Sequence, residues 1–127
     1  MQNEEERTAF EAEAEARWGQ TDAYRAYAAT TPAQRRAGAK ALETLTDAFA
    51  AKAREGAAAL DPAVQSLVAD WQRCISAHFY PCTTELLAGL GQMYTADERF
   101  CANLNAHGDG TAALLSDAIA VYCASNR

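Results

Sequence analysis

The chain is poor in several things, and each shortage removes a class of protein. β-Branched residues are few while Ala, Glu, Leu and Arg abound, which leaves little support for sheet and favours helix. No run is long and apolar enough to cross a bilayer, and the opening residues lack the basic-then-apolar pattern of a secretory signal. Positive charge is outweighed, 11 Lys and Arg against 17 Asp and Glu, for a formal net charge of −6. A domain that grips a nucleic-acid backbone needs a basic face, so that role is excluded for this domain. There are only two histidines, and no CxxC pair joins any of Cys74, Cys82, Cys101 and Cys123. Structural zinc sites usually present paired ligands at both ends, so no metal is expected. With no export signal, a disulfide framework is not expected either, and the chain reads as a reduced, cytoplasmic protein.

What is present organises into helices. At 127 residues the chain suits one domain with a core of its own. Its first residues, NEEER and FEAEAEAR, form a solvated acidic face with Phe10 and Trp18 as the only large apolar anchors. A short helix with Tyr24 and Tyr27 follows. Because helices owe most of their stability to tertiary burial, this thin N-terminal third, residues 1–30, is expected to be a flexible lid over a helical core at 31–124.

The three prolines punctuate that core. Thr31-Pro32 and Asp61-Pro62 each pair a capping side chain with proline at the first helical position. The first of these helices carries Leu42, Leu45 and Phe49 and ends at Gly56. The second places Val64, Leu67, Val68, Trp71, Ile75 and His78 at helical steps, and Pro81 stops it. The next helix opens near Thr83 and buries Leu86, Leu87, Leu90, Met93 and Tyr94. Thr95 and Glu98 have the spacing of a capping box, which predicts a new helix from there to His107. A last helix presents Leu114, Leu115, Ile119 and Tyr122. The fold class is all-α, with about five main helices and a short extra one near the start.

The stretch His78-Phe79-Tyr80-Pro81-Cys82 concentrates the chemistry. A Cys/His enzyme would also need a group orienting the imidazole and donors for an oxyanion, and no nucleophile signature surrounds Cys82. His78, alone on an apolar helix face, reads as a hydrogen-bonded residue at the core edge. A metal corner from Cys74, His78 and Cys82 is broken by Pro81. Cys82 alone lies just ahead of a helix, where the dipole and unpaired N–H groups would stabilise a thiolate; the alternative is a small buried residue in a turn. Trp71, Phe79, Tyr80, Met93, Tyr94 and Phe100 gather near this turn, as core or as the wall of an apolar cleft. Asp97 suits the positive end of its helix, whereas Arg99 there calls for a carboxylate partner.

Taken in order, HFYPC, ELLAGLGQMY, TADERF and Gly110 with ALLSDAIAVY, together with the earlier ARWGQTDAYRAY, resemble the TipAS-type antibiotic-recognition domain. That is the effector domain of some MerR-family transcriptional activators, also found alone or duplicated in drug-sequestering proteins. The resemblance implies a globin-like all-α fold without haem or another cofactor, and no enzymatic turnover. It implies an interhelical cleft for bulky apolar antibiotics, thiopeptides among them. Cys82, with Tyr80, Phe79, His78, Trp71, Met93, Tyr94 and Phe100 gathered near its turn, is the candidate ligand-binding set. Cys82 falls on the family cysteine that adds to a dehydroalanine of the drug. DNA would be reached only through a separate N-terminal winged-helix domain, absent from this sequence, in a homodimeric full-length protein with no membrane partner. Capture of a drug without any link to transcription is one alternative role, and a stress-responsive regulator domain with a different ligand is the other.

Overall fold

The computed structural model describes residues 22–126. The expected acidic face with its anchors Phe10 and Trp18, and most of the expected lid, lie outside the described residues. Six helices and no strand occur among the described residues: α1 (Asp22–Ala29), α2 (Pro32–Arg54), α3 (Pro62–His78), α4 (Thr84–Ala96), α5 (Glu98–Asn105) and α6 (Thr111–Ser125). The all-α expectation holds.

The proline signals act as read. Thr31 Oγ1 accepts from the Gln34 N–H while the Gln34 side chain accepts from the Thr31 N–H, a reciprocal cap that starts α2. Gly56 follows α2 with φ +73°, a left-handed conformation that glycine adopts without a Cβ penalty. Asp61 caps α3 through the Ala63 N–H, and Pro62 needs no intrahelical donor there.

One boundary differs. The helix expected to open at Thr95 opens two residues later, because α4 continues through Ala96 and Asp97 is the cap of α5. Thr95 Oγ1 turns back onto the Gln92 carbonyl, 3.4 Å away, while the Asp97 carboxylate accepts from the Arg99 N–H at 2.9 Å. An ionised acceptor makes the stronger cap.

α2 packs along α3 and α4 along α6, and α6 also touches α2, α3 and α5. Phe49, Val64, Val68, Leu87, Leu115 and Ile119 are at most 1% exposed and form the centre of one core. α4 and α6 approach closely at Gly91, where an added Cβ would lie 2.8 Å from Ile119 Cγ2. Ser116 Oγ then donates to the Gly91 carbonyl at 2.8 Å. The HFYPC turn joins the end of α3 to the start of α4.

Candidate functional site

Cys82 sits at the end of that turn, ahead of α4. Thr83, not Cys82, caps α4: its Oγ1 accepts from the Leu86 N–H at 3.1 Å, and its carbonyl from the Leu87 N–H at 2.9 Å. The Cys82 thiol is turned instead toward the Thr83 carbonyl, 3.9 Å away, and the residue is only 6% exposed. Burial pushes the thiol up to about 11, and the nearby Cys123 sulfur pushes in the same direction. Of the two readings left open for Cys82, this resting environment fits the small buried residue in a turn. Helix N–H groups help an anion only when they face it, and here Thr83 takes that place.

The other expected site residues divide into two groups. Trp71 and Tyr94 are core residues, 3% and 7% exposed. Trp71 stands edge-on to Phe49 and to Tyr94, with centroids 5.9 Å apart in both cases, and its indole N–H donates to the Tyr94 hydroxyl at 3.3 Å. Phe100 continues the row, 6.0 Å from Tyr94. Burial first of all raises the Tyr94 phenol; the Trp71 N–H opposes this, and Tyr80 and Cys82 add to it. Tyr80 is likewise pushed up to about 12, by burial and then by Cys82.

Phe79, Tyr80, Met93 and Phe100 are half-buried and supply the accessible apolar surface around the turn. Phe79 packs at the edge of the core. Its ring stacks on Tyr27 of α1 at 6.4 Å and 16°, and the Arg35 guanidinium lies over the other ring at 5.3 Å from the Tyr27 centroid. This contact was not legible in sequence, where Tyr27 was one aromatic of a weakly patterned helix. Gly38 of α2 makes room for it: a Cβ there would meet His78 Cβ at 2.5 Å and the Phe79 ring at 2.7 Å.

His78 Nδ1 lies 3.0 Å from the Cys74 carbonyl and 3.9 Å from Cys74 Sγ, one turn back on α3. It thus occupies the core-edge role expected of it. His107 Nδ1 meets Asp47 at 2.6 Å, tying the end of α5 to α2. Among the described residues, no three His, Cys, Asp or Glu side chains gather as a metal site. No helix of the described residues is long and apolar enough to cross a membrane.

Arg99 has the carboxylate partner its position demanded. Its Nε and one terminal nitrogen grip the Asp97 oxygens at 3.1 and 2.8 Å. Those hydrogen bonds hold the Asp97 carboxyl down to about 2, below its ordinary 3.8. A depressed folded value means that the charged cap stabilises α5 above about pH 4, and that this contribution fades as pH falls toward 2. In a carboxyl NMR titration, Arg99→Gln is expected to return the Asp97 midpoint toward the ordinary range; an unchanged midpoint would show that the backbone cap alone lowers it.

An all-helical frame, a buried thiol at a proline turn and half-buried rings around it define a ligand-recognition domain built on apolar contact. The family model of the TipAS antibiotic-recognition domain matches residues 10–122, and the chain belongs to that family. It is 33% identical over 114 residues to the HTH-type transcriptional activator TipA of Streptomyces coelicolor, covering 87% of this chain and 45% of that protein. It is 40% identical over 63 residues to the HTH-type transcriptional activator mta of Bacillus subtilis, covering 50% of this chain and 24% of that one. The chain therefore spans less than half the length of these curated relatives. In structure it is similar to TipAS of Streptomyces lividans, from a thiopeptide antibiotic multidrug resistance system, solved in complex with nosiheptide. That likeness has a TM-score of 0.80 and 33% identity, over 94% of this chain and 86% of the other.

Proposed function

We propose that this domain is the drug-sensing effector of a cytoplasmic MerR-type transcriptional activator, and that its ligand is a bulky, largely apolar antibiotic of the thiopeptide class. The observation that carries this reading is the similarity along nearly the whole chain to the nosiheptide-bound domain. The half-buried Phe79, Tyr80, Met93 and Phe100 supply the contact surface, with Trp71 and Tyr94 as its rigid backing and His78 at its edge. Apolar burial drives association, at roughly 25 cal/mol per Å² removed from water. Cys82 is the nucleophile for covalent capture. Capture is stoichiometric and involves no turnover, so the domain is a receptor and not an enzyme.

Residues 1–30 act as the lid of this site. The support is the Tyr27–Phe79 stack, which brings α1 onto the HFYPC turn, so that a ligand displacing Phe79 displaces α1 with it. A separate DNA-binding domain in a homodimeric full-length protein reads out that change.

The test is a thermal-shift titration with nosiheptide. At a free concentration one hundred times Kd, binding to the folded state alone adds about 2.7 kcal/mol, or roughly 10 °C in Tm for a domain of this size. No shift at any soluble concentration of a thiopeptide would overturn the assignment.

A further inference from the structure

Cys82 is held in a way the other thiols are not. Cys74 and Cys123 lie inside α3 and α6, where the helical ladder fixes their backbone. Cys82 lies outside any helix, and its peptide groups are held by side chains. Its N–H donates to Ser76 Oγ at 3.0 Å, and its carbonyl accepts from Gln72 Nε2 at 2.9 Å. Gln72 and Ser76 stand one turn apart on α3, so both reach the same side of the turn. Gln72 Oε1 is in turn held by the Tyr122 hydroxyl of α6, which donates at 3.0 Å. The relay runs from α6 through α3 to both polar groups of the cysteine backbone.

We infer that Gln72, Ser76 and Tyr122 are positioning residues for Cys82, forming a polar clamp that keeps its thiol turned inward until an incoming ligand loosens the turn. The thiol direction follows from the clamp: with N–H and carbonyl both tied toward α3, the side chain is left facing the core and the Thr83 carbonyl. Burial of the thiol and its raised titration agree with a sequestered resting state. The consequence for drug capture rests on the proposed role of Cys82; the clamp itself does not. A thiol so held resists small indiscriminate electrophiles and answers to a ligand large enough to move Phe79 and Tyr80, its neighbours in the turn.

The experiment needs no antibiotic. The ligand-free chain is treated with iodoacetamide, and alkylation of each of the four cysteines is timed by peptide mass spectrometry. Ser76→Ala and Gln72→Leu are expected to speed Cys82 alkylation roughly fivefold or more, the factor that one lost net hydrogen bond gives an opening equilibrium. Cys74 and Cys123 should stay at wild-type rates, and Ser76→Thr, which keeps the hydroxyl, should leave Cys82 slow. Tyr122→Phe, which keeps the ring and frees Gln72, should move Cys82 in the same direction by a smaller factor. An unchanged Cys82 rate in all three clamp variants overturns the inference. So does a parallel rise of Cys74, Cys82 and Cys123, which would mean general loosening rather than a clamp. Failure here leaves the thiopeptide thermal shift unaffected, so the two readings fall separately.

Discussion

Cys82→Ala is expected to abolish the one-to-one covalent adduct with a thiopeptide while leaving a reduced thermal shift from noncovalent binding. In the proposed capture the reaction is an addition: the Cys82 sulfur bonds to the terminal carbon of a dehydroalanine, and the thiol proton ends on the α-carbon. Nothing leaves, so intact mass must equal the sum of the two molecules. The thiolate is the attacking species. With the thiol raised to about 11, the resting domain at pH 7 holds roughly one thiolate in ten thousand. Attack from this conformation should therefore quicken about tenfold for each pH unit between 7 and 9. A rate already flat in that range would show that bound ligand lowers the thiol by rebuilding its surroundings. An adduct that persists in Cys82→Ala would move the chemistry to another thiol, with half-exposed Cys101 the first to examine.

Phe49→Ala carries the largest expected cost in stability. Phe49 is fully buried and makes the edge-on contact with Trp71 that links α2 to the row of rings running to Phe100. Truncating a buried phenylalanine costs about 3–5 kcal/mol, the transfer term plus the cavity left behind. That is a large share of the 5–15 kcal/mol typical of a whole domain. Tm should fall by roughly 10–20 °C, with a lower urea midpoint and an unchanged slope. A loss under 1 kcal/mol would mean that Trp71 and its neighbours collapse into the space. Because Trp71 and Tyr94 back the proposed site, the same variant should weaken thiopeptide binding at temperatures where it is still folded.

Local chemistry made much of this architecture legible. A proline behind a capping Thr or Asp works through one or two residues, so the starts of α2 and α3 could be read directly. The same holds for Gly56 and for the halt at Pro81, since φ preference and a missing N–H are properties of single residues. The Thr95 boundary failed because two acceptors competed. Spacing identified Thr95 alone, and only the folded chain shows that the Asp97 carboxylate takes the cap. At the level of the family, the order of motifs through Tyr122 was enough.

The tertiary structure decided the state of the site. Whether Cys82 faces the amides of α4 or the interior depends on α3 and α6, whose Gln72, Ser76 and Tyr122 have no pattern that ties them to residue 82. The division of the aromatics has the same cause. Trp71 and Tyr94 lie inside because α2 and α6 close over them, and Phe79 turns to Tyr27 because Gly38 leaves space for its ring. The sequence by itself determined an all-helical domain, where most of its helices start, and the turn at which its chemistry gathers. A thiol's burial and charge are set by everything packed around it, and that is known only once the chain has folded.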